Sequence, residues 1–245
     1  MRNLLSRASR PILARLAREK TLCAFDFDGT LSPISEHPHR ARMRRQTRIL
    51  LGRLASLYPC VIVSGRSRPD LLVRLEGVKV ARVIGNHGAE TERTRRKSRR
   101  LVHQWTTALE RELCSLPGLW VEDKGLSVAV HYRQSPRKSQ VRQRILKVAL
   151  SLEKVSVSGG KQVVNLIPDG APHKGDALAT ERNRLECNWV LYVGDDENDE
   201  SAFALEGNLV SVRVGRARLS RARYYLRSQV EVDELLDLLC RLRCD

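Results

Sequence analysis

Aromatic side chains are scarce in this chain: three Trp, three Phe and five Tyr among 245 residues. None of them interleaves the densest basic run, Arg93–Arg100, so no base-stacking surface for nucleic acid is indicated there. No apolar stretch approaches the roughly 18–20 residues that a spanning helix needs, so no membrane span is expected. The six cysteines, Cys23, Cys60, Cys114, Cys187, Cys240 and Cys244, include no CxxC pair. Cys23 and Cys60 fall inside apolar runs, where a thiol behaves as a small apolar group. This is the cysteine usage of a reduced, cytoplasmic protein rather than of a disulfide framework. No secretory signal, internal repeat or low-complexity linker is visible.

Positive charge is the one excess, at a formal +16. Net charge speaks to solubility and encounter rather than to fold. Much of it sits in Arg93–Arg100 and between Arg213 and Arg227. The first run reads as a solvated basic loop, with a polyanion or acidic-lipid site as the alternative. Residues 1–20 are Arg-rich and carry no acid before Glu19, which fits a transit peptide. Leu4, Leu5, Ile12, Leu13 and Leu16 also fit a short amphipathic helix interrupted by Pro11, and that reading is preferred.

Short continuous apolar runs alternate with helical patterns, which argues for buried parallel strands. Strands are expected at Leu22–Phe27, Cys60–Ser64, Val80–Gly85, Val190–Val193 and Val210–Val214. Helices are expected at Met43–Tyr58, Pro69–Leu75, Lys174–Arg184, Ser201–Leu205 and Val232–Leu242. From Thr91 to Asn165 the character changes. Ser127, Ala129, His131 and Arg133 alternate with Val128, Val130 and Tyr132, as in a sheet covered on one face. Helices to cover it are expected at His103–Leu116 and Pro136–Leu152. The expected fold is therefore α/β: a doubly wound parallel-sheet core (21–90 and 166–245) with an inserted α/β cap (91–165), hinged near Gly88–Glu90 and Ile167–Pro168.

Ligands of an open parallel sheet bind beyond the carboxyl ends of its strands, and four polar clusters fall at such places. Asp26-Phe27-Asp28-Gly29-Thr30 follows the first apolar run, and Ser64-Gly65-Arg66 follows Val61–Val63. Lys174 opens a helix. Gly194-Asp195-Asp196-Glu197-Asn198-Asp199-Glu200 follows Leu191–Val193. Together they supply hard oxygen ligands for magnesium, a hydroxyl and amides for phosphate, and one ammonium. A phosphate monoester needs such groups, because its transition state must be stabilised electrostatically. On this reading Asp26 attacks phosphorus, and Asp28 is the acid and base. Asp26 and Asp195 share Mg²⁺, while Thr30, Ser64, Gly65 and Lys174 hold phosphoryl oxygens. Asp196 or Asp199 positions Lys174 or a metal-bound water. His37 and His39, flanking Pro38, are assigned no metal, since magnesium prefers oxygen.

The order DxDGT, Ser after a strand, Lys, then GDDxxDE resembles the haloacid-dehalogenase-like phosphatases. More narrowly, FDFDGTLSP, VSGR, GNHGAE, EDKGLSVAVHYR and GDDENDESAF resemble the trehalose-6-phosphate phosphatases, from about Leu22 to Leu239. The resemblance implies the fold above, obligatory Mg²⁺, and phosphoric monoester hydrolysis of trehalose 6-phosphate. It implies Asp26, the Asp28 carbonyl and Asp195 as metal ligands. It assigns the sugars to the cap stretch and the GNHG loop, hence to Asn86, His87, Glu122, Lys124, His131 and Arg133, and Arg66 is expected to join them. Asn198 departs from the Thr that is common in the last motif. A trehalose-phosphate synthase is the implied pathway partner. Alternatives are a sucrose-phosphate or mannosyl-phosphoglycerate phosphatase, a phosphohexomutase, or a non-catalytic protein using the basic surface.

Overall fold

Alternation inside uniformly apolar strands builds the core sheet. The computed structural model describes residues 1–35, 38–89, 95–160 and 162–244. In chain order it contains β1 (Arg2–Asn3), α1 (Arg10–Arg18), β2 (Thr21–Phe25), α2 (Arg45–Leu57), β3 (Cys60–Val63), α3 (Arg68–Arg74) and β4 (Arg82–Ile84). Next come α4 (Arg95–Leu113), β5 (Trp120–Asp123), β6 (Val128–His131), α5 (Lys138–Leu150), β7 (Val155–Gly160) and β8 (Val163–Pro168). The chain closes with α6 (Lys174–Arg184), β9 (Trp189–Gly194), α7 (Glu200–Phe203), β10 (Leu209–Val214), β11 (Tyr224–Leu226) and α8 (Val230–Cys244). Contacts divide it into two compact units, Met1–Gly88 with His173–Asp245, and Ala89–Pro172.

The first unit holds a seven-stranded parallel sheet in the order β1-β11-β10-β9-β2-β3-β4. Leu22, Ala24, Val61, Val63, Val190 and Tyr192 face Leu178 of α6 and Ala202 and Phe203 of α7. Cys23, Phe25, Ile62, Leu191 and Val193 face Leu13 of α1, Leu54 of α2 and Leu236 of α8. With helices on both faces, every position of β2 and β3 is buried, which is why these runs are apolar throughout. The expected doubly wound parallel sheet is the observed one.

Residues 1–20 pack on the core. Arg2 and Asn3 pair with Tyr224 and Tyr225, and Leu4, Leu13 and Leu16 are fully buried in the core. Pro11 does not interrupt the helix. It lies in the first turn of α1, where a missing N–H costs no hydrogen bond.

The second unit is a four-stranded antiparallel sheet, β5-β6-β8-β7. Val128, Val130, Val164 and Leu166 pack against Val102, Trp105 and Leu109 of α4 and Val141, Ile145 and Val148 of α5. The basic run is not a loop over its described part, because α4 begins at Arg95. Arg and Lys are good helix formers, and the helix they open goes on to bury Val102 and Trp105. Arg93 and Thr94 lie outside the described residues, as do His37 and Glu90. Strand β6 ends at His131, and Arg133 falls in the following turn, so the two do not share a strand face. Ile167 and Pro168 are no hinge: they pair with Ser156 and Val155, and the units part at Pro172 and His173. Among the described residues no helix is long and apolar enough to cross a membrane.

Candidate active site

Two neighbouring strands bring the main carboxylates together. In the sheet β2 lies between β3 and β9, so the connection order reverses beside it, where open α/β sheets place their ligands. Phe25 is in register with Val193, and the Asp26 amide donates to the Val193 carbonyl at 2.9 Å. Asp26 and Asp195 therefore emerge side by side. β3 flanks β2 on its other side, with Phe25 opposite Ile62, which brings Ser64 to the same edge.

Carboxylate oxygens of Asp26, Asp195 and Asp199, all buried, lie within 4.8 Å of one another. One ammonium answers them. The Lys174 Nζ donates to Asp26 Oδ1 at 2.9 Å and to Asp199 Oδ1 at 2.7 Å, and the lysine is only 1% exposed. α6 starts at Lys174, with His173 as its N-cap in a reciprocal capping box with Asp176. Gly175 is required there, since a Cβ would sit 2.5 Å from the Ser201 carbonyl oxygen.

Asp199 is saturated. Its Oδ1 also accepts from the Tyr192 hydroxyl at 2.6 Å, while Oδ2 accepts from the amides of Asp195 and Asp196 at 2.8 and 2.9 Å. It orients Lys174 and shapes the loop, and it has little left for a metal. Asp196 caps the short 3₁₀ turn Glu197–Asp199 and accepts from the Glu197 amide. Of the two supporting residues expected, Asp199 holds Lys174.

The electrostatics follow from burial. Desolvation pushes the Asp26 carboxyl well above its ordinary range; Lys174 pulls it down, while Asp199, Asp195 and Asp28 push it further up. Desolvation also opposes the Lys174 charge, but Asp199 and Asp26 outweigh it and hold the lysine protonated. For Asp199 the penalty of burial is overcome by Lys174 and Tyr192, so its carboxyl stays below the usual range. Three carboxylates against one ammonium leave a deficit of positive charge among hard oxygen donors, which fits a divalent cation. Asp26 and Asp195 are the carboxylates of this group that would hold it.

Gly29 is what lets Asp195 approach. It has φ +78°, and a Cβ there would lie 2.0 Å from Asp195 Oδ2. Gly29→Ala is thus expected to displace this carboxylate and lower divalent-cation affinity by about 10–100-fold, measured by titration calorimetry. Unchanged affinity would remove Asp195 from the ligand set.

Asp28 is held differently from Asp26. Its two oxygens accept from Arg66 Nε and Nη2, each at 2.6 Å. Arg66, expected at the sugar, is thereby engaged with the Asp28 carboxylate. Ser64 is buried, and its Oγ accepts from the Arg66 amide at 3.3 Å. Gly65 is packed on by His87, whose Cε1 would be 2.4 Å from a Cβ. Asn86 and His87 are themselves buried, with φ of 49° and 60°, and the Asn86 and His87 amides donate to the Arg66 and Ser64 carbonyls. Their backbone shapes the loop after β3. The Thr30 hydroxyl is buried without a hydrogen-bond partner among the described residues.

In the second unit, Glu122 Oε2 lies 2.8 Å from His131 Nε2 and 3.9 Å from Lys124 Nζ. The His131 ring stacks on Trp120 at 4.0 Å. These three polar residues therefore form one cluster, which Arg133 in its turn does not extend along the strand.

Tyr192, Trp120, Asp70 and Arg74 were not singled out from sequence. Tyr192 carried a usable signal, being the one hydroxyl in an aliphatic strand two residues before Gly194, where a buried phenol must find a partner. Asp70 and Arg74 had helical i,i+4 spacing.

Comparison with known proteins gives a consistent answer. The family model described as trehalose-phosphatase matches residues 24–221. A probable trehalose-phosphate phosphatase D of Arabidopsis thaliana is 28% identical over 93% of this chain and 69% of its own length. The trehalose-phosphate phosphatase of Mycobacterium avium is 34% identical over 73% of this chain; the match spans about half (49%) of that protein. The C-terminal domain of Candida albicans trehalose-6-phosphate phosphatase superposes with a TM-score of 0.82, covering 95% of this chain and 96% of that one at 22% identity, a likeness of fold. With four catalytic-type clusters at one sheet edge and a family match over most of its length, the chain belongs to the trehalose-phosphatase family.

Proposed function

We propose that this chain hydrolyses trehalose 6-phosphate to trehalose and phosphate through an aspartyl-phosphate on Asp26, with Mg²⁺ as cofactor. The observation carrying this reading is the Lys174 ammonium between Asp26 and Asp199, with Asp195 alongside, at the carboxyl edge of β2 and β9. Lys174 fixes Oδ1 of Asp26 and leaves Oδ2 with no hydrogen-bond donor among the described residues. That oxygen attacks phosphorus as the bond to the sugar oxygen breaks, and Asp28 gives the leaving oxygen its proton. Asp28 then takes a proton from water, which attacks phosphorus and releases Asp26 and inorganic phosphate. An ammonium has three donors, so Lys174 keeps one for a phosphoryl oxygen beside Ser64, Gly65 and Thr30. Asp26, Asp195 and the Asp28 carbonyl would hold Mg²⁺, which would supply charge neutralisation to the phosphoryl group.

Sugar recognition is assigned to Glu122, Lys124 and His131, whose paired charges suit a substrate made of hydroxyls. A site built for hydroxyls rejects analogues lacking them strongly. The four buried thiols support a reducing, cytoplasmic setting, and a trehalose-phosphate synthase is the enzyme that would supply the substrate.

Phosphate release is the test, measured on trehalose, sucrose, glucose and mannosylglycerate phosphates with and without chelator. Trehalose 6-phosphate is expected to exceed glucose 6-phosphate by about 10²-fold or more in kcat/KM, and chelator to abolish turnover. Parity between the two sugars sinks the substrate assignment, and full activity in chelator sinks the metal. Isomerised sugar phosphate without free phosphate would indicate a mutase.

A further inference from the structure

We propose that Arg66 is a positioning residue for the acid/base carboxylate, locking the rotation of Asp28 through a two-point clamp that Asp70 and Arg74 anchor. This rests on the role given to Asp28 under the proposed function. The clamp is built from both ends. Arg66 Nε and Nη2 each donate to one Asp28 oxygen at 2.6 Å, the parallel geometry that guanidinium and carboxylate share. Arg66 Nη1 donates to Asp70 Oδ2 at 2.8 Å, and the same oxygen accepts from Arg74 Nε at 2.8 Å. Arg74 in turn donates to the carbonyls of His39 and Ala41. The Arg66 guanidinium also lies 5.6 Å from the centre of the Phe27 ring, between the two catalytic-loop aspartates in sequence.

The burial pattern gives the network a direction. The side chains of Arg66 and Arg74 are 11% and 10% exposed, whereas that of Asp28 is 41% exposed. The cations are fixed inside, and the carboxylate is the end open to a reacting molecule. A carboxylate with free rotation about its side-chain bonds spends little time aimed at the proton it must move. One held at both oxygens keeps a single orientation, and misplacement of a catalytic group by an ångström can cost about 10²-fold. A lysine cannot replace this clamp, because an ammonium lacks the planar fork. Two arginines and two aspartates also balance in charge within the network.

The experiment is a double-mutant cycle between Arg66 and Asp28, with kcat and KM measured on trehalose 6-phosphate. Phosphoenzyme formation is followed in parallel with p-nitrophenyl phosphate, whose leaving group departs without a proton, so that Asp28→Asn stays measurable. Arg66→Ala is expected to lower kcat by about 10²-fold with KM within about threefold of the starting protein. In the Asp28→Asn background the same change should cost less than about threefold, since the group it aims is gone. Arg66→Lys should recover only part of kcat, and Asp70→Asn should fall between the two.

Equal losses in both backgrounds would mean that Arg66 acts on the substrate itself and would overturn the proposal. So would a loss confined to KM, or full rescue by lysine. If Arg66→Ala does not fold, Arg66→Lys carries the same cycle. The outcome is separable from the wider reading: retained turnover in Asp26→Asn strikes the mechanism, whereas additivity at Arg66 strikes only this assignment.

Discussion

Asp26→Asn is expected to lower trehalose 6-phosphate turnover by on the order of 10⁴–10⁶-fold, the scale of losing a covalent nucleophile, while the protein stays folded. The three carboxylates at the edge of β2 and β9 are not equivalent. Asp199 accepts four hydrogen bonds, from Lys174, Tyr192 and two backbone amides, so neither of its oxygens can approach phosphorus. Asp195 stands over Gly29 at a distance that no side chain at 29 would permit. Asp26 has one oxygen fixed by Lys174 and the other without a donor among the described residues, which is the arrangement of an aimed nucleophile.

The fold should survive this substitution for a local reason. Burial and three neighbouring carboxylates already disfavour charge at Asp26. An asparagine keeps the shape and an oxygen for the Lys174 ammonium, and removes a charge that the interior opposes. Turnover is read by phosphate release, the fold by thermal melting, and the covalent intermediate by hydroxylamine-sensitive labelling of the starting protein with ³²P. Activity within tenfold of the starting protein in Asp26→Asn, at unchanged melting, would transfer the nucleophile's role elsewhere.

How much of this could be read from residues alone depended on the length of the physical signal. The strands that carry Asp26, Ser64 and Asp195 are continuous apolar runs, because both faces of a doubly wound sheet are covered. β1 and β11 are two and three residues long and contain arginine or tyrosine. Their pairing is decided by tertiary register, which leaves no periodicity to find. The same holds for the beginning of α4, whose arginines look like a loop until the buried stripe after them is seen. Side-chain partnerships were the least legible. Asp28 and Arg66 are 38 positions apart, and only the adjacency of β2 and β3 makes them neighbours. Asn86 and His87 stand out in a motif, but their left-handed backbone and their place in the turn that holds Ser64 show only in the fold.

Lys174→Met should produce the largest loss of stability of any single substitution in the site, about 3–5 kcal/mol, the usual cost of removing one partner of a buried ion pair. For a chain of this size that corresponds to a fall in Tm of roughly 6–20 °C. The methionine fills the volume, so the penalty is electrostatic rather than a cavity. The ammonium bridges Asp26 and Asp199, at 2.9 and 2.7 Å, and it is held charged there against its own desolvation. Without it three buried carboxylates lie within 4.8 Å of one another, and the Tyr192 hydroxyl and backbone amides bond Asp199. Arginine is not expected to rescue, because a planar fork does not fit where a compact three-donor head bridges two oxygens. A divalent cation restores positive charge to the same carboxylates. It should therefore raise the Tm of Lys174→Met by more than it raises that of the starting protein. Differential scanning calorimetry with and without Mg²⁺ reads both effects. A variant that melts within about 2 °C of the starting protein, or one that Mg²⁺ stabilises no further, would show that these carboxylates are relieved by protonation or by solvent and not by Lys174.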